Sequence, residues 1–382
     1  MALVLSFGET RLYHDRFNFF RDASSFEAFP GLGGPIRRHT WKWVAGCVLA
    51  IAALLWFLYA RLSAQGFDWG LAARSFARLR WAWLLLSLVP IGGTYGVRAL
   101  RWAVLLKPLK ANPSLAGLLS ATVIGFAAIT LFGRPGEFVR PYLIALKERV
   151  PATSQLAAWL LERIFDLLMA LLVFGFALSR VAASEVQVGP GLAWVLAVGG
   201  RVVTVLCLAI LAVLLGFRHL AEPVRRRLMS LLRFVPDRYH LRIERLLTAF
   251  VQGVETTRSD GALLAVFLYS VLEWALIAAC YWCLAQAFAG LIPLGLVDVL
   301  IFMGFVSFGA AVQIPGIGGG IQVVSVVVLT ELFGVRLELA TAFALLIWIL
   351  TFVVVVPFGM GLALKEGLDW RSLRQIGREA SK

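Results

Sequence analysis

The sequence predicts an all-α polytopic membrane protein with six full spans and two re-entrant or broken helical hairpins, arranged as an inverted-topology repeat. Three observations carry that expectation. Of 382 residues, 60% are hydrophobic and only 15% charged, with a mean hydropathy of +0.84, whereas a soluble domain carries about a quarter charged residues. Six uninterrupted apolar stretches approach or exceed the roughly 20 residues that cross a bilayer as a helix. Two further apolar regions are broken near their middles by Pro-Gly, Pro135-Gly136 and Pro315-Gly316.

Residues 1–40 mix aromatic and charged side chains, without the apolar core or cleavage site of a secretory leader, and read as a cytoplasmic segment. Spans follow at 41–59 and 81–106, the first interrupted region at 115–149, and a span at 155–179. The order repeats with spans at 191–217 and 262–288, the second interrupted region at 293–332, and a last span at 337–364. Halves 41–179 and 191–364 then form one transmembrane domain, followed by a basic tail, 365–382. Between 217 and 262 lies segment 218–258, with nine arginines against four acids. Basic loops stay on the cytoplasmic side. That rule puts 218–258 and both termini inside only if 115–149 enters and leaves from one face. Segment 61–80, with Arg61, Arg74, Arg78 and Arg80, must then lie outside, against the rule; the longer basic run outweighs it. Each half contributes an odd number of crossings, so the two halves point in opposite directions, as in many transporters. The expected location is the plasma (inner) membrane.

The net charge of +14 fits positive-inside loops and contact with anionic lipid headgroups. Nucleic acid is excluded as a partner because no soluble stretch is long enough for a binding domain. Cys47, Cys207, Cys280 and Cys283 all fall in apolar runs, and Cys280-Tyr-Trp-Cys283 has no second pair beside it. The four histidines lie outside the spans, so neither a metal site nor a cofactor is expected.

The candidate binding residues are the charges and breaks inside apolar sequence. Charged side chains in the bilayer cost about 2.5–3.5 kcal/mol each on insertion scales, so they pair or line a wet path. Arg98 and Arg101 end the second span, where snorkelling and ligand contact both remain open. Glu162, Arg163 and Asp166 follow one another at helical spacing, and Arg163 and Asp166, three apart, can pair. Glu273 stands in the middle of its span. At the first break, Arg134 and Arg140 flank Gly136 and Glu137. Guanidinium groups match phosphate oxygens, and Glu137 can hold one of them. Arg134 precedes a proline, so an extended backbone is expected there, with the helix restarting near Pro141. At the second break, Gln313, Pro315, Gly316, Gly318, Gly319 and Gln322 supply backbone that a ligand can approach closely.

These motifs resemble the transmembrane, flippase-like region of lysylphosphatidylglycerol synthases, a family that includes stand-alone membrane proteins. The matching pieces are Arg98-Ala-Leu-Arg-Trp102, Gly133-Arg-Pro-Gly-Glu-Phe-Val-Arg140, Glu162-Arg-Ile-Phe-Asp166 and Pro315-Gly-Ile-Gly-Gly-Gly-Ile-Gln322. The last departs from the family's P-G-G-x-G-x-x-E pattern, with Ile317 for a glycine and Gln322 for the acid. The resemblance implies lipid handling: movement of an anionic phospholipid, polyprenyl-phosphate or related lipid between leaflets, without catalysis. Membrane lipids are the expected partners, with a homo-oligomer or a lipid-synthesis enzyme as further ones. Two alternatives stay open, a scaffold for a lipid-synthesis machine and an intramembrane lipid-modifying enzyme. Against the enzyme, no span carries a nucleophile–base pair or an acidic metal cluster. With so little sequence after Leu364, the soluble aminoacyl-transfer domain of the synthases is not expected.

Overall fold

A computed structural model describes residues 66–182, 198–199, 201–210, 212, 259–288, 290–309, 313–314 and 318–367. The chain divides into two units, Met1–Phe67 and Asp68–Lys382, and the described helices belong to the second. The expected span 41–59, most of 191–217, segments 1–40 and 218–258, and most of the tail lie outside the described residues.

Helix α1 (Trp69–Ala77) starts where the Asp68 carboxylate accepts the Leu71 N–H at 2.9 Å, a side-chain N-cap. Next come α2 (Trp81–Leu86) and α3 (Leu88–Leu106), which together make one apolar span with an irregular turn at Ser87. Pro90 has no N–H to offer the Leu86 carbonyl, which accounts for the lapse.

The first interrupted region is a hairpin. Helix α4 (Leu115–Phe132) ends at Gly133, whose φ of 71° turns the chain. A 3-10 turn (Arg134–Phe138) leads into α5 (Val139–Glu148). The expectation of an extended Arg134 is therefore corrected, while the helix restarts near Pro141 as expected. Gly133 takes the turn, Pro135 sits among the first turn's N–H groups that need no helical partner, and the helix begins at Val139. The two arms touch at backbone distance: a Cβ on Gly125 would stand 2.6 Å from the Arg140 Cβ, and one on Gly136 would collide with the Ala128 carbonyl. The Glu148 carboxylate accepts the Ser114 N–H at 3.2 Å. Both arms thus end level, and the chain leaves the hairpin at the end where it entered.

After it come α6 (Ala152–Ala182), the short apolar α7 (Arg201–Ile210) and α8 (Asp260–Ala287). The second hairpin consists of α9 (Leu296–Gly309), a small antiparallel pair of β1 (Gln313–Ile314) and β2 (Gly318–Gly319), and α10 (Gly320–Glu331). Helix α11 (Leu337–Trp348), a π-helical turn (Ile349–Val353) and α12 (Val355–Lys365) complete one long apolar span. Five helical stretches are long and apolar enough to cross a membrane, alongside shorter apolar helices. The protein is an all-α polytopic membrane protein apart from that two-residue ladder.

Each hairpin packs on the last span of the other half. Gly304 of α9 lies against the Val173 carbonyl and Ala177 of α6, and Gly359 of α12 lies against the Val123 carbonyl and Ala127 of α4. Small residues at crossings of this kind let helices approach closely in lipid. Between the hairpins, α3 faces α8. Exchanging α3, α4, α5 and α6 with α8, α9, α10 and α11–α12 maps these contacts onto themselves. The buried apolar side chains form two clusters, one around each hairpin.

A buried arginine–carboxylate network beside a cavity

Three helices bring the charged residues together. Arg98 and Arg101 lie one turn apart on α3; Glu162, Arg163 and Asp166 lie on α6; Glu273 lies on α8. Arg101 is fully buried, and three carboxylates surround its guanidinium. Its Nη1 donates to Asp166 Oδ1 at 2.7 Å and to Ser270 Oγ at 2.9 Å. Nη2 donates to Glu162, and Glu273 Oε2 stands 3.3 Å from Nη1. Arg98 Nε donates to Glu273 Oε1 at 2.7 Å, and its guanidinium lies 4.1 Å from the centre of the Phe126 ring. Snorkelling is thereby corrected for both arginines: carboxylates inside the fold hold them, and a buried guanidinium needs such partners.

Arg140 completes the network from the first hairpin. Its two terminal nitrogens both donate to the Glu162 carboxylate, in the two-pronged geometry that suits guanidinium. The same guanidinium stacks 4.4 Å from the centre of the Trp102 ring, a cation–π contact. Trp102 is itself held by a hydrogen bond from Nε1 to Gln155 Oε1 at 3.0 Å. Glu162 is buried and joins Arg101 on α3 to Arg140 on α5.

Beside the network lies a cavity of about 380 Å³. Arg98, Arg134, Glu137, Arg163, Asp166 and Glu273 line it, with an apolar wall that includes Tyr95, Phe126, Trp274 and Met303. Arg134 has 56% of its side chain exposed and donates from Nη1 to Glu137 Oε1 at 2.9 Å, so Glu137 holds Arg134 and not Arg140. Arg163 Nη2 lies 3.3 Å from Asp166 Oδ2. Ser307 and Ile321 reach the cavity from the second hairpin, and Thr351 and Phe352 from the π-helical turn. Such π turns inside helices often mark functional sites.

The helix register sets the network residues level with one another. Glu162, Ser270 and Gly125, which faces Arg140, each stand ten residues past the helix starts Ala152, Asp260 and Leu115. At 1.5 Å per residue that is about 15 Å along each helix from its start. The three starts share one end of the fold, because α3 runs antiparallel to α8 through Arg98–Glu273 and Arg101–Ser270.

The other sequence candidates fall elsewhere. Arg101, Arg140 and Glu162 stand behind the cavity wall. Gly136 packs on α4, so its missing side chain serves the hairpin. In the second break Gln313 pairs with Gly319 and Ile314 with Gly318. Gln322 Oε1 accepts the Gly319 N–H at 2.7 Å at the start of α10. Pro315 and Gly316 lie outside the described residues. Sequence reasoning missed Ser270, Trp102, Gln155 and Phe126. Ser270 was findable as a hydroxyl one turn before Glu273, and Trp102 as the neighbour of Arg101. Phe126 gives no signal among the other apolar residues of α4.

A family model described as the lysylphosphatidylglycerol synthase TM region matches residues 43–359. Comparison with curated proteins and with solved structures finds no match. Spanning helices, two hairpins and a buried charged network agree with that one finding, and the protein belongs to the lysylphosphatidylglycerol synthase transmembrane-region family, whose setting is membrane lipid metabolism.

Proposed function

We propose that the protein moves a phospholipid or related amphiphile with an anionic phosphate headgroup between leaflets, leaving it chemically unchanged. The observation that carries this reading is the cavity enclosed by membrane-spanning helices. Arg98, Arg134 and Arg163 border it, between two helical breaks. Its volume of about 380 Å³ suits a headgroup and leaves the acyl chains to the lipid phase. Arginine is the side chain best matched to phosphate, and the exposed Arg134 is the first to meet it. Arg140, chelated by Glu162, keeps α5 docked on α6 and does not bind the ligand.

The halves in this reading are an inverted repeat in a plasma membrane. Its cytoplasmic side is the end that carries Lys107, Lys110, Lys147, Arg149 and Lys365. Rocking of one half against the other alternates access to the cavity. Proteoliposomes holding a fluorescent phosphatidylglycerol test the proposal, with a membrane-impermeant quencher reporting arrival in the outer leaflet. The wild-type protein accelerates transfer, mass spectrometry finds the lipid intact, and Arg134→Ala slows transfer about tenfold, as loss of one phosphate contact of about 1.4 kcal/mol does. Transfer unchanged in Arg134→Ala removes the assigned role, and no transfer above empty vesicles removes the reading.

A further inference from the structure

The charges of the cavity wall and of the network behind it, taken together, do not balance. Five arginines (Arg98, Arg101, Arg134, Arg140, Arg163) meet four carboxylates (Glu137, Glu162, Asp166, Glu273), a formal surplus of one positive charge. The remaining apolar stretches of the sequence supply no further acid: 41–59, 191–217 and 310–317 contain no Asp or Glu. Gln322, next to the cavity-lining Ile321, is neutral. A net charge held inside a bundle of membrane-spanning helices is costly unless a counter-ion joins it.

The surplus has a location. Asp166 gives its Oδ1 to Arg101 at 2.7 Å and offers Arg163 only Oδ2 at 3.3 Å. Arg163 Nε is buried without a hydrogen-bond partner, and Arg163 lines the cavity.

We infer that the cavity selects headgroups carrying a single negative charge, phosphodiester monoanions, with Arg163 as the main phosphate contact. The inference rests on the lipid-transfer reading and narrows its substrate class. A zwitterionic headgroup adds no net charge and leaves the surplus in place. A phosphomonoester brings up to two negative charges and overshoots it.

Native mass spectrometry of the detergent-purified protein tests this with phosphatidylglycerol, phosphatidylethanolamine and phosphatidic acid of equal chain length. One phosphatidylglycerol binds per chain, about tenfold tighter than either of the others. Gln322→Glu adds the missing charge while keeping the oxygen that accepts the Gly319 N–H, and it abolishes the preference over phosphatidylethanolamine. Glu137→Gln raises the surplus to two and moves the preference to phosphatidic acid. Arg163→Gln weakens phosphatidylglycerol about tenfold with no change in the other two. Equal binding of phosphatidylglycerol and phosphatidylethanolamine by the wild-type protein overturns the inference, as does an unaltered preference in Gln322→Glu. Displacement of the lipid by excess soluble glycerophosphate assigns the site to a free anion and overturns it also. In the proteoliposome assay, transfer of all three lipids alike defeats this inference alone. Selective binding without transfer supports the inference and defeats the translocation reading.

Discussion

Replacing Glu162 by Gln tests whether the network stabilises the fold. The substitution keeps the shape and removes one negative charge. In the structure the carboxylate accepts from Arg101 through Oε1 and from Arg140 through both oxygens, and the residue is buried. A glutamine retains one acceptor oxygen and turns an amino group toward a guanidinium. One arm of the Arg140 pair is therefore lost and Arg140 loses its counter-charge, while Arg101 keeps Asp166 and Glu273. Removing one member of a buried pair costs about 3–5 kcal/mol, because the remaining charge stays desolvated. At about 2 °C per kcal/mol, the low end for large domains, the unfolding midpoint falls by about 6–10 °C. Intrinsic tryptophan fluorescence in detergent reads it directly. The double variant Glu162→Gln with Arg140→Gln, which removes one positive charge as well, recovers part of the loss, and the cycle gives the coupling. A midpoint within about 1 °C of wild type would falsify Glu162 as the shared counter-ion.

Further outcomes follow from the packing. Gly304→Leu puts side-chain atoms where a Cβ alone already stands 2.9 Å from the Val173 carbonyl. The clash costs about 1–3 kcal/mol, visible as a lower unfolding midpoint, and wild-type stability would refute the α6–α9 crossing. Glu148→Ala removes the partner of Lys110 Nζ at 2.7 Å and of the Ser114 N–H; hydrogen exchange at Ser114–Gly117 then speeds up about tenfold or more, and unchanged protection would contradict the closed mouth of the hairpin. Single cysteines at Lys110, Arg149 and Glu366 react with an impermeant maleimide from one face of the membrane, and one at Arg180 from the opposite face. Labelling of Lys110 and Arg149 from opposite faces defeats the hairpin.

Much of the fold was legible because spans and breaks follow from local chemistry. Apolar length identifies a helix, and Gly133 with Pro135-Gly136 identifies where it must stop. The pairing Arg163–Asp166 was legible too, since residues three apart on a helix are neighbours. Less visible was the destination of Arg98 and Arg101. Near the end of a span, snorkelling and burial predict the same sequence, and only the partners Glu273 on α8 and Glu162 on α6 distinguish them. Those partners are far away in sequence, so periodicity cannot connect them. Arg140 illustrates the same limit. Beside Arg134 and Glu137 it reads as a phosphate ligand, yet one turn of helix carries it to the hidden side of α5, against Glu162 and Trp102.

The charges are shared unequally between the halves, and this bears on motion. Every member of the network except Glu273 and Ser270 belongs to the first half. The Arg140–Glu162 and Arg101–Glu162 pairs therefore stay within one half and move with it. Only Arg98–Glu273 and the Arg101 contacts with Ser270 and Glu273 cross from α3 to α8. On the proposed transfer reading, rocking of the halves releases these contacts of the network, together with the Lys147–Glu366 pair and the Thr130 hydrogen bond to the Phe352 carbonyl where they lie on the opening side. An uncompensated buried guanidinium costs several kcal/mol, so opening without a replacement partner is disfavoured. On the proposed transfer reading, a phosphate entering beside Arg98 supplies that partner, so that ligand entry and release of Glu273 form a single exchange. Removal of the Glu273 charge in Glu273→Gln breaks this dependence: cysteine accessibility of cavity residues in the ligand-free protein rises, and phosphatidylglycerol no longer changes it. Accessibility that still responds to the lipid as in wild type contradicts the exchange.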